Sequence, residues 1–282
     1  MRMKRVLLIL TGLFLASCWL IAQQRDTLAS VELTLTDEYL DTVNVKKAFE
    51  LNNYSTLGFQ YGYGLNQTMF NPTKRQAMLY TPMNMGVVFT HYEKLFNYLP
   101  YFGLQLGFFK GQDGYKFKKN DEGDWTGNVD GTTECVFDYV EVPAMVLMHI
   151  DLRNFKMMAG GGLYGGYRYK VDRTGETWLG FDPNFATTFR DYEHQWDYGW
   201  TVTAGLGVVF DPIEFHLTGR LRYGLGSLYD ADYYSPYYYR FANTFDIVIS
   251  AGIHIQLTKR TGMTSRQLRR QAREMIFNPS QR

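Results

Sequence analysis

The chain has 282 residues, a formal net charge of +1 and two cysteines, Cys18 and Cys135. So few cysteines exclude a disulfide-stapled scaffold. Past the first two dozen residues no apolar run approaches the ~20 residues of a membrane helix, which excludes a helical transporter. Arg2, Lys4 and Arg5 open the chain, and Lys259, Arg260, Arg266, Arg269, Arg270, Arg273 and Arg282 close it against Glu274. The body between is therefore acidic on balance and does not suit nucleic acid. The 22 Tyr, 20 Phe and 5 Trp beside 27 Gly favour strands with tight turns and close packing.

Residues 1–22 read as a signal peptide: a basic start, an apolar core over 6–15, then cleavage after Ala22. Leu15-Ala16-Ser17-Cys18 also resembles a lipobox, which would acylate Cys18. Simple cleavage is preferred because Trp19-Leu20-Ile21 continues the apolar core. Both routes take the protein out of the cytoplasm, and Cys135 is read as a bystander thiol. Residues 23–54 are polar and weakly patterned, a periplasmic lead-in with a short strand over 31–36.

At Ser55 a period of two begins. Leu57, Phe59, Tyr61, Tyr63 and Leu65 alternate with Thr56, Gly58, Gln60, Gly62 and Gly64. The same grammar recurs around Val87, Leu104, Val142, Leu163, Val202, Leu217 and Ile249, which makes about eight strands. Large residues on one face and small or polar ones on the other suit a barrel with lipid outside and a polar lumen. Asp151-Leu152-Arg153-Asn154, Asp211-Pro212 and the 93–99 linker are short, whereas 67–80, 110–134, 172–197 and 226–243 are long and polar. Short turns on one side and long loops on the other are the pattern of an outer-membrane barrel with both termini periplasmic. Tyr92, Tyr98, Tyr101, Tyr169, Trp196, Tyr198, Trp200 and Tyr223 lie near strand ends, where interfacial girdles belong. The expected fold is all-β: an eight-stranded antiparallel transmembrane β-barrel over 55–258, with a basic tail over 259–282 that holds a short C-terminal periplasmic helix.

Tyr139-Val140-Glu141-Val142-Pro143, the glycine strand over 160–169, Asp197-Tyr198-Gly199 with Gly205-Leu206-Gly207, and Arg220-Leu221-Arg222-Tyr223-Gly224-Leu225 resemble the PorT-like family of outer-membrane β-barrels of Bacteroidetes-type bacteria. The resemblance covers most of the mature chain, and its motifs are short and structural. It implies an exported eight-stranded barrel, and the family's namesake belongs to a protein-secretion apparatus. The basic tail and the lead-in depart from the family pattern.

Parity points Glu141, Arg168, Arg220 and Arg222 into the lumen. A lumen of eight strands is filled by side chains, and charges buried there must pair. Glu141 is therefore expected within ion-pairing distance of Arg220 or Arg222, as a plug of ion pairs rather than a gate or proton path. His216 and His254 also point inward, near the periplasmic rim and close to Glu214, as cross-strand neighbours. They are read as structural, because no third ligand and no G-x-S-x-G or H-E-x-x-H motif accompanies them. No catalytic residue, cofactor or metal is assigned.

Tyr229, Tyr233, Tyr234, Tyr237, Tyr238 and Tyr239 crowd the last long loop, as a contact for a partner or as an outer aromatic belt. In the tail, Thr264 or Ser265 caps a helix with Leu268, Ala272, Met275 and Ile276 on one face. Arg266, Arg269, Arg270 and Arg273 lie opposite, for docking on lipid phosphate or an acidic partner, or as a solvated tail. Three functions compete: a non-enzymatic anchor or component of an envelope or secretion assembly, a small pore or ligand-binding barrel, and a barrel-embedded hydrolase. The missing catalytic motifs and narrow lumen favour the first, with outer-membrane lipid and envelope or secretion-complex proteins as partners.

Overall fold

The computed structural model describes residues 51–94, 99–119, 132–152, 154–175, 186–232 and 240–262. All of them belong to the second of two compact units, Phe49–Arg282. The signal peptide and Cys18, the lead-in strand, Tyr98, Tyr233, Tyr234, Tyr237 to Tyr239, and the tail helix with Arg266, Arg269, Arg270 and Arg273 lie outside the described residues.

The strands are β1 (Tyr54–Asn71), β2 (Gln76–Ala77), β3 (Leu79–Glu93), β4 (Tyr101–Phe117), β5 (Thr132–Asp151), β6 (Phe155–Gly175), β7 (Trp196–Phe210), β8 (Ile213–Gly224) and β9 (Phe241–Gln256). Every pairing is antiparallel, and β1 pairs both with β3 and with β9. The two-residue β2 adds a rung to the end of β4. The other eight strands run as one meander closed by β1 on β9, an eight-stranded antiparallel barrel. Closure leaves the barrel without a free edge strand, the condition for spanning lipid with strands.

Side-chain alternation gives the barrel the reverse of a soluble core. Leu163 is 66% exposed and Leu104 63%, whereas Glu141 is 2% exposed and Arg222 1%. The outward face of β5 is apolar from Val140 to Ile150, and that of β6 from Phe155 to Tyr169. Toward the long loops this reverses. Lys110, Gln112 and Lys116 on β4, Glu134 and Asp138 on β5, and Lys170 and Asp172 on β6 now face outward. On β6 the change coincides with a bulge, where the register shifts opposite Asp138 and Tyr139. Inside, beyond it, Tyr115, Phe117, Cys135, Phe137 and Val171 form an apolar core. Three strands thus leave the apolar belt and continue as an ordinary polar-out, apolar-in sheet.

These extensions correct the expected loops: β4 runs through Phe117, and β5 starts at Thr132. Two girdle assignments also change. Tyr169, Trp196, Tyr198, Trp200 and Tyr223 project outward, with Trp200 stacked on Tyr223 at 5.5 Å. Tyr92 instead points inward, buried and stacked on Tyr54 at 4.8 Å, and Tyr101 packs against the same cluster. Its even position in β3 shares the inward parity of Thr90 and Val88.

At the turn end the β1–β9 pairing continues past the barrel in unchanged register, from Thr56↔Gln256 to the Leu51↔Thr261 bridge. Asn52 N–H donates to the Arg260 carbonyl at 2.8 Å. Both chain ends therefore leave the barrel at its turn end.

Two outcomes follow from this surface. The folded protein should migrate faster on gels unheated than boiled. Leu163→Arg, at the middle of the apolar belt of β6, should cost about 2–4 kcal/mol of unfolding free energy in lipid vesicles. Thr174→Arg, beyond the belt, should change it little.

Candidate functional site: the filled lumen

Closing eight strands leaves an interior only wide enough for side chains, and they fill it in layers. At the loop end the apolar cap is covered by the segments carrying Phe189, Tyr192, Leu228 and Tyr229, and the hydroxyls of Tyr115 and Tyr229 meet at 2.6 Å. Arg173 and Glu193, both buried, pair beside them. Cys135 lies in this cap fully buried, and burial pushes its thiol up, so it stays neutral and packs as a small apolar group.

The central layer is a lattice of guanidinium and carboxylate groups. Arg222 donates to Asp246 at 2.9 Å and Asp113 at 3.0 Å, pairs with Glu141 at 3.2 Å, and also donates to Asp197. Its guanidinium lies 4.0 Å from the ring centre of Tyr139 and 4.7 Å from that of Tyr164. Arg168 reaches Asp113 and Asp197, both at 3.1 Å. Arg220 pairs with Glu141 at 2.7 Å and lies over Phe109 at 4.1 Å. The planar fork of arginine suits this task, because one group serves several carboxylates while stacking on aromatic faces. Structure thus brings Glu141, Arg168, Arg220 and Arg222 together in one cluster. Of the other carboxylates, Asp197 was named only within the Asp197-Tyr198-Gly199 motif, and Asp113 and Asp246 were not assigned as lumen charges. Asp246 shares the parity of His254, Asp197 that of Gly199, and Asp113 that of Gly103, Gln105 and Gly107, once β4 is carried past Phe108.

Uncharged polar groups follow below. Gln105 donates to Thr90 at 3.1 Å, and Thr218 and Ser250 share a hydrogen bond of 2.8 Å. At the turn end a second charged layer is centred on Lys156, fully buried, which pairs with Glu214 and lies 4.0 Å from the ring centre of Tyr92. Glu214 also accepts from His216 at 2.9 Å and from Gln256 at 2.9 Å. His216 and His254 touch with ring centres 4.0 Å apart. They are diagonal rather than directly opposed, since Glu214 stands across from His254 and Gly252 across from His216. Tyr54 donates to Asp151 at 3.3 Å, His149 lies 3.4 Å from the same carboxylate, and Arg260 donates to the Leu152 carbonyl at 2.7 Å. Among the described residues no three His, Cys, Asp or Glu side chains are arranged to hold a metal ion.

Inward glycines make room for these large groups. A Cβ on Gly58 would strike the His254 ring, one on Gly111 would come within 2.6 Å of Tyr139, and one on Gly207 within 2.7 Å of His216. Gly165 faces outward, and a Cβ there would meet nothing within 4 Å.

The closed meander, the apolar outer surface and the lumen packed with paired charge define an outer-membrane β-barrel. The chain belongs to the outer membrane protein beta-barrel domain family, whose pattern matches residues 25–230. None of the curated proteins matches the sequence. Among solved structures, it is similar to Ail, the attachment invasion locus protein of Yersinia pestis, at 12% identity over 73% of this chain and 100% of that one, with a TM-score of 0.36. Neisserial surface protein A (NspA) gives 12% identity over 71% and 96%, with a TM-score of 0.39. The N-terminal β-barrel domain of Pseudomonas aeruginosa OprF gives 9% identity over 73% and 100%, with a TM-score of 0.35. Overlap this loose says nothing of what the chain binds.

Glu141→Gln would take from buried Arg220 the carboxylate it pairs with, while Arg222 keeps Asp113, Asp197 and Asp246. It should cost on the order of 3 kcal/mol in denaturant unfolding of the vesicle-inserted protein. By the same assay Gly58→Ala should cost about 1–3 kcal/mol by displacing His254, while Gly165→Ala should be close to neutral.

Proposed function

We propose that this protein is a non-enzymatic barrel that anchors or forms part of an envelope or secretion assembly, as the PorT-like resemblance implies. The observation that carries this reading is the filled lumen: an apolar cap at the loop end, a lattice around Arg222, and a charged layer around Lys156 at the turn end. Ion pairs so placed satisfy desolvated charge, and among the described residues the side chains that make them fill the interior and are buried. Chemistry finds equally little support, since Glu214 is already engaged by Lys156, His216 and Gln256.

In this reading the short turns and both chain ends face the periplasm, and the long loops face outside. Leaving the barrel through the Leu51↔Thr261 bridge, the chain carries its basic tail to the side where periplasmic partners work. The arginines Arg266, Arg269, Arg270 and Arg273 supply charge for lipid phosphate or an acidic partner. Tyr229 is taken up in the buried cap, which leaves Tyr233, Tyr234, Tyr237 and Tyr238 for contacts outside, and outer-membrane lipid surrounds the belt. An acidic body argues against nucleic acid as a partner.

Affinity purification from detergent-solubilised outer membrane tests this directly. Envelope proteins should co-elute with the full chain, and deletion of residues 266–282 should remove the periplasmic ones while the barrel still inserts. Purified protein in planar bilayers should give no steady single-channel conductance. A stable open channel, with no co-eluting protein, would overturn the reading in favour of a pore.

A further inference from the structure

We propose that the loop-end seam between β3 and β4 is the gate of this barrel, with Asp113 as its latch. From Glu93↔Phe102 to Met85↔Lys110 the two strands pair continuously. The next rung on that edge of β4 is Ala77↔Lys116, supplied by β2. Between these rungs the ladder is replaced by side chains: the Thr81 hydroxyl donates to the Gln112 carbonyl at 3.2 Å, and the Thr68 hydroxyl to the Gly114 carbonyl at 3.4 Å. The other edge of β4 keeps its ladder here, pairing with β5 from Phe109↔Glu141 to Lys116↔Glu134.

The local sequence supports a weak seam. Pro82 has no N–H to give to a ladder, and the β1–β3 register shifts opposite it, between Gly62 and Gly64. Gly114 has φ of 146°, and a Cβ there would collide with the Cys135 carbonyl, so this stretch of β4 takes a path that only glycine follows readily. Segments with few ladder bonds open at lower free energy than the rest of a structure.

What lies behind the seam makes its opening consequential. Asp113, on the stretch of β4 that lacks rungs toward β3, accepts from Arg168 at 3.1 Å and from Arg222 at 3.0 Å. In the central lattice four carboxylates, Asp113, Glu141, Asp197 and Asp246, face three guanidiniums. Swinging Asp113 out into water leaves three of each. The lattice thus has one of its carboxylates on a stretch that the backbone holds on one edge only, and opening the other edge gives the closed lumen a solvent route from the loop end. This inference rests on the strand ladder and holds whichever partners the barrel serves.

Cys135 is a built-in reporter, because it lies buried against this stretch, across from Tyr115. The full chain in phosphatidylcholine vesicles would be exposed to a membrane-impermeant maleimide, and Cys135 labelling followed by peptide mass. The gate predicts slow labelling of the wild type and about tenfold faster labelling of Thr68→Val/Thr81→Val. Asp113→Asn should also label faster, since a neutral carboxamide holds two guanidiniums less well. Thr218→Val removes a comparable hydroxyl bond from the β8–β9 wall and should label at the wild-type rate. The heat-modifiable gel shift verifies that each variant is folded. If the Thr68/Thr81 and Asp113 variants label no faster than Thr218→Val, the gate is overturned; equal acceleration of all three would show general loosening and overturn it too.

Discussion

A single guanidinium, that of Arg222, meets four carboxylates inside a ring of strands whose outer face is apolar. Taking such charges out of water costs several kcal/mol per ion, and only close, well-directed pairing offsets it. The lattice is therefore less a source of net stability than a condition on the whole barrel. Five strands, β4 to β8, together with β9 must present their charged residue at matching height and parity. Slipping one strand by a single residue would turn its charge into lipid and an apolar residue into the lattice. The lumen charges and the strand register specify each other.

The same accounting of surfaces explains the reversal beyond Lys110 and Lys170. Within the apolar belt the outward half of each strand must suit lipid, which leaves the inward half to polar groups and glycines. Beyond the belt water replaces lipid, so the ordinary arrangement returns: Lys116 pairs with Glu134 at 2.7 Å outside, while Phe137 and Tyr115 are buried inside. The bulge opposite Asp138 and Tyr139 sits at the change. A single barrel thus contains two kinds of core, an ionic one in the membrane and an apolar one above it.

Most of the barrel was legible in the sequence, because lipid on one side imposes a strict alternation from Leu57 to Ile255. Parity alone put Glu141, Arg220 and Arg222 on one interior face, and in the structure Glu141 pairs with Arg220 at 2.7 Å and with Arg222 at 3.2 Å. The outer ends of β4, β5 and β6 were hidden by the reversal itself: Lys110, Lys116 and Asp172 read as loop charge when lipid-facing alternation is the template. Asp113 was lost with them. Tyr92 misled for another reason, since a tyrosine near a strand end suits a girdle and a stacked plug equally, and only its parity separates the two. Of the turn-end layer, His216, His254 and Glu214 were legible by parity, whereas Lys156 and Asp151 were missed because they border a short turn, where charge needs no explanation until Arg260 is seen to reach that turn.

The account stands on Arg222 as the centre that makes closure, register and a filled lumen one property. The most direct measurement is the unfolding free energy of Arg222→Met in lipid vesicles, beside the wild type. With two guanidiniums left to four buried carboxylates, a loss of about 3–5 kcal/mol is predicted. An unchanged unfolding free energy, with the folded gel shift intact, would contradict it.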